Sequence, residues 1–402
     1  MTPFLRNTFG LLALLGLTRC TKSDAPADPL FEAMPASTTG VEFVNEVRDD
    51  KQLNIFNYRN FYNGGGVALG DVNNDGLPDV FLTSNMGDNK LYLNRGAWRF
   101  EDVSEQAGIK GKHAWSTGVT FADVNGDGWL DIYVCNSGNR DNDNRSNEFF
   151  ISNGAKTKGG IPTFSEKAQA LGLADRGFST HAAFFDYDRD GDLDMYLLNN
   201  SFIPIGRLGY RNLRAERDYE GGDKLFRNDR GKFVDVSDQA GIYGSVIGFG
   251  LGITIGDVND DNWPDIYISN DFYERDYLYL NNHDGTFRES LEQAMNHISL
   301  SSMGADIADL NNDGRLDIFV TDMLPGDDRR LKTTSTYEGY DLTDFKLKQG
   351  YHHQVMRNNL HLNLGAPPAP KGRVALPSEK APPLGAGGAV VFSEVGQLTG
   401  TS

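Results

Sequence analysis

The sequence predicts an all-β protein, a β-propeller built from four-stranded blades. Two observations lead there. A nine-residue loop rich in Asp and Asn occurs five times, its starts spaced 52, 63, 71 and 52 residues apart. Each copy lies between two short apolar runs, and a second pair of runs joined by Asn, Asp or Gly follows most of them. A recurring unit of this size marks a repeat architecture, and four strands per unit is a propeller blade.

The loop follows the pattern D-x-[DN]-x-D-[GN]-x-x-D. Positions 1, 3, 5 and 9 are Asp71, Asn73, Asp75 and Asp79 in the first copy, and Asp123, Asn125, Asp127 and Asp131 in the second. They are Asp186, Asp188, Asp190 and Asp194 in the third, and Asp257, Asn259, Asp261 and Asp265 in the fourth. The fifth supplies Asp309, Asn311, Asp313 and Asp317. Position 6 is Gly four times and Asn262 once, residues that tolerate a left-handed backbone. Position 7 varies through Leu77, Trp129, Asp192, Trp263 and Arg315, as expected where only the backbone carbonyl is used.

Oxygen-only donors at this density suit a hard cation that takes six to eight oxygens, so up to five Ca²⁺ are expected. Mg²⁺ demands a stricter octahedron and keeps its water, and Zn²⁺ favours His and Cys, which the loops lack. An EF-hand is excluded because its twelfth position would fall on Leu82 and no helix pattern flanks the loop. Asp-rich turns without metal are the alternative, and it conflicts with the mutual repulsion of carboxylates packed this closely. Five Ca²⁺ would offset ten of the chain's eighteen net negative charges.

The strands follow from the runs around the loops. Residues 66–70 and 80–83 flank the first loop, 118–122 and 132–134 the second, and 252–256 and 266–269 the fourth. They are short and rich in β-branched and aromatic residues. Small residues in the first run of each pair suit a crowded inner strand. Hairpins pair 90–94 with 98–103, 224–228 with 233–236, and 277–281 with 287–289. Runs 359–364 and 391–395 read as the third and fourth strands of a fifth blade.

With these loops, and with the phrases Phe100-Glu-Asp-Val-Ser-Glu-Gln-Ala-Gly-Ile109 and Phe233-Val-Asp-Val-Ser-Asp-Gln-Ala-Gly-Ile242, the chain resembles FG-GAP/VCBS repeat proteins with integrin-α-type propellers. The two phrases are similar to the exported cartilage-acidic-protein-like subgroup, whose bacterial members often end in an ASPIC/UnbV domain. The resemblance covers residues 41–402. It implies calcium contacts at the loop positions named above and no catalytic residue. It also implies about seven blades where five loops are visible, so the chain reads as truncated from a larger propeller that lacks its UnbV-like portion. Residues 41–47 resemble a fourth strand that would complete the last blade of a closed ring. Residues 365–388, rich in Ala, Pro and Gly, read as a disordered insertion.

The N-terminus reads as a lipoprotein-type signal over 1–20. Arg6 and a short apolar run from Phe9 to Leu17 precede Cys20, the expected lipidation site, although Arg19 departs from the small residue usual before it. Residues 21–40 read as a flexible tether. The expected address is exported, as an outer-membrane or cell-surface lipoprotein, with a periplasmic or secreted form as the alternative. Membrane contact is expected only through the lipid. A net charge of −18 excludes nucleic acid. Two cysteines exclude a disulfide scaffold, and Cys135 in an apolar run reads as a buried small hydrophobe.

Function is expected on the face opposite the loops, where long connections span 136–147, 200–223 and 322–358. Candidate partner contacts there are Tyr210, Arg211, Tyr337, Tyr340, Tyr351 and His352. The alternative is that these aromatics only pack the loops down. The expected partner is an extracellular protein or polysaccharide, met by a monomer. No H-E-x-x-H, G-x-S-x-G or Walker motif occurs, so no enzyme is expected. A carbohydrate-active hydrolase or lyase on the long-loop face is the rival reading.

Overall fold

The computed structural model describes residues 31–111, 115–138, 145–334, 339–365 and 390–394. The signal segment with Cys20, residues 21–30 of the tether, Tyr337 and nearly all of the 365–388 insertion lie outside these residues. The described chain forms five four-stranded antiparallel sheets, each with its strands, here A to D, in chain order. Blade 1 comprises Val67–Gly70, Asp79–Leu82, Lys90–Asn94 and Phe100–Asp102. Blade 2 comprises Ser116–Ala122, Asp131–Asn136, Glu148–Ser152 and Phe164–Glu166. Ser179–Phe185, Asp194–Asn199, Lys224–Asn228 and Phe233–Asp235 form blade 3, and Gly250–Gly256, Asp265–Asn270, Tyr277–Asn281 and Phe287–Glu289 form blade 4. Blade 5 is Gly304–Ala308, Asp317–Thr321, Asn359–Asn363 and Phe392–Glu394. These are the four-stranded blades of a propeller, and the strands predicted around and after the Asp loops fall where they form.

The core lies between blades. Phe81, Leu91 and Val103 of the first blade meet Val119, Ile132 and Phe150 of the second. Similar layers join blades 2 and 3, 3 and 4, and 4 and 5. Burial on both faces explains why strand B of blades 2, 3 and 4 is buried at every position and shows no alternation.

The A strands stand side by side in the order of the blades. Their small residues are a steric requirement. A Cβ on Gly66 would come within 2.7 Å of the Thr117 carbonyl, and one on Gly252 within 2.9 Å of Gly304 Cα. A methyl group on Gly118 would overlap the Thr180 carbonyl. Neighbouring blades therefore touch backbone to backbone at their inner edge.

Residues 41–47 are not a strand, which corrects the sequence expectation. A single helical turn, Ala36–Thr39, precedes them inside the stretch assigned to the tether and ends at Gly40 with φ +79°. The same turn-plus-Gly follows the D strands of blades 1, 2 and 3, ending at Gly108, Gly172 and Gly241. Gly172 and Gly241 press against the carbonyls of Phe233 and Phe287 in the next blade's D strand, and Gly40 does so at Phe100. The segment thus repeats an inter-blade connector. It then runs across the outside of blade 1, where Asn45 Nδ2 donates to Asn85 Oδ1 at 2.7 Å. Asn45 Oδ1 in turn accepts the Asn85 backbone N–H at 3.0 Å, and among the described residues no strand pairs with the segment.

The 322–358 connection is structured where it is described. It contains helices Asp328–Thr334 and Tyr340–Lys348, and Gln354–Val355 pairs in parallel with Ile298–Ser299.

Candidate metal centres and the opposite face

Each Asp loop joins strands A and B of its blade, and position 9 is the first residue of strand B, paired with the last residue of A. The loops share one hydrogen-bond plan. Position 1 accepts the backbone N–H of position 5 on Oδ1 and that of position 6 on Oδ2; in the first loop these bonds are 3.0 and 2.7 Å. The other four repeat both bonds. Position 5 Oδ1 accepts from position 7. This winding turns the polar side chains inward. It needs left-handed backbone at position 6, where Gly76, Gly128, Gly191, Asn262 and Gly314 supply it. It needs the same at position 4, where Asn74, Gly126, Arg189, Asp260 and Asn312 have φ of 57–68°. The position-4 requirement is not visible in the sequence, because Arg189 and Asp260 break the Asn/Gly pattern.

Position 9 is fully buried in all five loops. Its Oδ2 accepts the N–H of position 2, and its Oδ1 accepts the N–H at the end of strand C. The strand-C residue is Asn94, Asn228, Asn281 or Asn363, with Ser152 in blade 2. Each of those Asn amides donates back to the position-8 carbonyl. Asn281 and Asn363 also reach the position-2 carbonyl of the preceding blade's loop, at Tyr187 (2.8 Å) and Val258 (2.7 Å). Loops 1 and 2 are tied differently: Asn74 Nδ2 donates to the Gly128 carbonyl at 2.9 Å, and Gly159 N–H to that of Asn73 at 3.1 Å. The strand-C Asn was legible as the recurring end of L-x-L-N and related runs, but its role needed the structure.

Position 7 packs over its own C–D turn. A Cβ on Gly154 would sit 3.1 Å from the Trp129 ring, and Trp263 stacks on His283 at 4.7 Å. His283 Nε2 lies 2.8 Å from Asp261 Oδ2, a contact that the sequence reading did not anticipate.

Burial first, and then the neighbouring loop carboxylates, raise the position-9 acids of the first four loops. Asp79 and Asp131 are pushed up to about 6, Asp194 to about 7 and Asp265 to about 8, against the N–H bonds that lower them. In loop 3, carboxylate oxygens of Asp186, Asp188 and Asp194 lie within 4.8 Å of one another, and Asp188 Oδ1 is buried with no hydrogen-bond partner. Three carboxylates brought together, with one buried acceptor left over, fit a hard cation in kind of donor.

The opposite face is organised by aromatic residues. Trp115, Phe178 and Phe249 each immediately precede an A strand, and Tyr58 and Phe61 of the N-terminal segment lie among them with Phe202. Tyr58 stacks on Phe202 at 5.4 Å and meets Trp115 edge-on at 5.1 Å. The two long connections pack on each other. Tyr351 is 4% exposed and donates its hydroxyl to the Arg211 carbonyl at 3.1 Å. His352 Nε2 lies 3.0 Å from the Met295 carbonyl, and Tyr210 packs edge-on to Tyr273 at 5.4 Å. Arg214 pairs with the fully buried Glu274, and Arg275 binds Glu289 at 2.5 Å. Tyr340 is 83% exposed. Cys135 is buried on strand B of blade 2, and its thiol is pushed well above its usual range by burial.

Repeated Asp loops on stacked four-stranded blades define a propeller-type repeat module. The model of the FG-GAP-like repeat matches residues 71–134 and 257–320, two spans that each run from one Asp loop into the strand after the next. The chain carries FG-GAP-like repeats and is similar to cartilage acidic protein 1. It is 26% identical to that protein from Xenopus tropicalis over 211 residues, 52% of this chain and 29% of the relative. It is 25% identical to the Mus musculus protein over 211 residues, 51% of this chain and 28% of the relative. The chain therefore aligns with less than a third of the length of these relatives. A solved Agrocybe aegerita structure, described as recognising non-reducing terminal N-acetylglucosamine, superposes with TM-score 0.34 and 16% identity over 73% of each chain.

Proposed function

We propose that the protein is an exported, calcium-stabilised propeller that acts as a binding module for an extracellular protein or polysaccharide, with contact on the face opposite the Asp loops. The observation that carries the metal reading is the buried, unpartnered Asp188 Oδ1 beside two further carboxylates. The positions that would hold the ions are 1, 3, 5 and 9 with the carbonyl of 7. A bound Ca²⁺ would neutralise carboxylates that otherwise repel; the chain itself supplies the N–H bonds that hold them converged. The binding reading is supported by the loops themselves, since one face is occupied by short turns and the other by long connections on a rigid frame. The N-terminal segment, with Cys20 as lipid acceptor, supports the export reading.

The test is thermal unfolding with calcium and with EGTA, on the native chain and on Asp188→Ala. Chelation should lower Tm by at least about 5 °C, since ion binding to the folded state alone stabilises by a few kcal/mol at saturating concentration. Asp188→Ala should be less stable than the native chain in calcium. In EGTA it should be equal or more stable, because there it removes an unpartnered buried oxygen. An equal loss in both conditions overturns the metal reading. A glycan and surface-protein binding screen in the same two buffers tests the module reading, which fails if nothing binds in either.

A further inference from the structure

A cavity of about 520 Å³ opens where the A strands of blades 1 to 3 begin, on the face opposite the Asp loops, with Met303 and Met323 of blade 5 on its far side. Charged residues make up 23% of the chain, yet none of the fifteen residues lining this cavity is Asp, Glu, Lys or Arg. An ionised ligand would be desolvated here without a counter-charge.

The polar groups that remain are few and placed. Asn60 is 3% exposed; its Nδ2 donates to Asn200 Oδ1 at 3.0 Å, and its own Oδ1 is buried without a partner. His181 lines the cavity from strand A of blade 3 with no hydrogen bond to the described residues. Burial pushes its imidazole below the usual range, so near neutrality it offers one donor and one acceptor. The Thr117 and Thr180 hydroxyls already donate to backbone carbonyls. Asn63 adds one exposed amide and Tyr62 a hydroxyl; the other side chains of the wall are apolar, and Tyr62 and Val67 are 68% and 60% exposed. Few convergent polar groups in a largely apolar cleft of roughly 300–1,000 Å³ is the usual form of a small-ligand site.

We propose that this cavity binds an uncharged polyhydroxyl ligand with an apolar face, the chemistry of a neutral sugar ring. The ring's C–H face packs on Tyr62 and Val67. A hydroxyl donates to Asn60 Oδ1, and His181 reads a second hydroxyl. Discrimination against charged sugars follows from the neutral wall. The assignment rests on the binding-module reading and gives it a location.

The experiment titrates the full chain in calcium with neutral cello-, chito- and manno-oligosaccharides and with sialylated and sulfated glycans, by calorimetry. A neutral oligosaccharide should bind, charged glycans should bind at least tenfold more weakly, and Tyr62→Ala and Asn60→Leu should each weaken binding at least tenfold. Tyr62→Ala, at an exposed side chain, should leave Tm unchanged, so the result does not depend on the buried variant folding. Neutral-glycan binding that ignores both substitutions overturns the cavity and leaves the module reading standing. A preference for charged glycans, or capture of a protein with no glycan response, overturns it as well.

Discussion

The residue just before strand C shows how a single side chain sets the chemistry of a blade. Asn89, Asn147, Asp223, Asp276 and Asn358 occupy this place in blades 1 to 5, and each accepts a backbone N–H from the end of strand B. In blades 3 and 4 the carboxyl also takes the hydroxyl of Tyr196 or Tyr267. Burial pushes Asp223 and Asp276 up to about 7, from an ordinary 3.8. The unfolded chain releases these protons near pH 4 and the folded chain near pH 7. Stability should therefore fall as pH rises across that window and level off above it. Asp223→Asn copies blades 1, 2 and 5 and removes the buried charge, at the expense of an acceptor for the Tyr196 proton. It should raise stability at pH 8 by about 1–3 kcal/mol and flatten the pH dependence, read from urea midpoints between pH 5 and 8. A steeper profile in the variant would refute this. The interchange of Asn and Asp was visible in the sequence, but nothing in it separates these acids from the loop acids. Only burial without neighbouring carboxylates does.

Strands were the most legible elements, because each blade repeats the same short apolar runs. What escaped the sequence was governed by tertiary contact. Residues 41–47 have strand composition and no partner strand, so composition alone misleads there. The one-turn helices ending at Gly108, Gly172 and Gly241 sit in phrases that were legible as repeats, yet four residues are too few to show a helical period. The inner strands carry a sharper expectation. Gly118 faces the Thr180 carbonyl with no room for a methyl group, and backbone cannot move aside as a side chain can. Gly118→Ala should cost about 2–4 kcal/mol by separating blades 2 and 3. Chemical denaturation checks it, and a loss under about 1 kcal/mol would show that the A strands have slack.

At the scale of the molecule, the Asp loops and the four-stranded units around them could be read from the sequence, since both are periodic. The cap of Tyr58, Phe61, Trp115, Phe178, Phe202 and Phe249 could not, because its members are scattered over nearly two hundred residues and meet only once the blades stack. The same holds for the cavity beside it, whose neutrality is a property of a surface and not of any segment.

The ties between loops carry a last implication. Asn74 holds Gly128, Asn281 holds Tyr187 and Asn363 holds Val258, so adjacent corners share a backbone carbonyl contact as links share a pin. If the corners hold Ca²⁺ as proposed, an ion leaving one would slacken the neighbour's grip. In the chelation experiment the corners joined this way should empty together, as a zipper opens, and not as five separate latches.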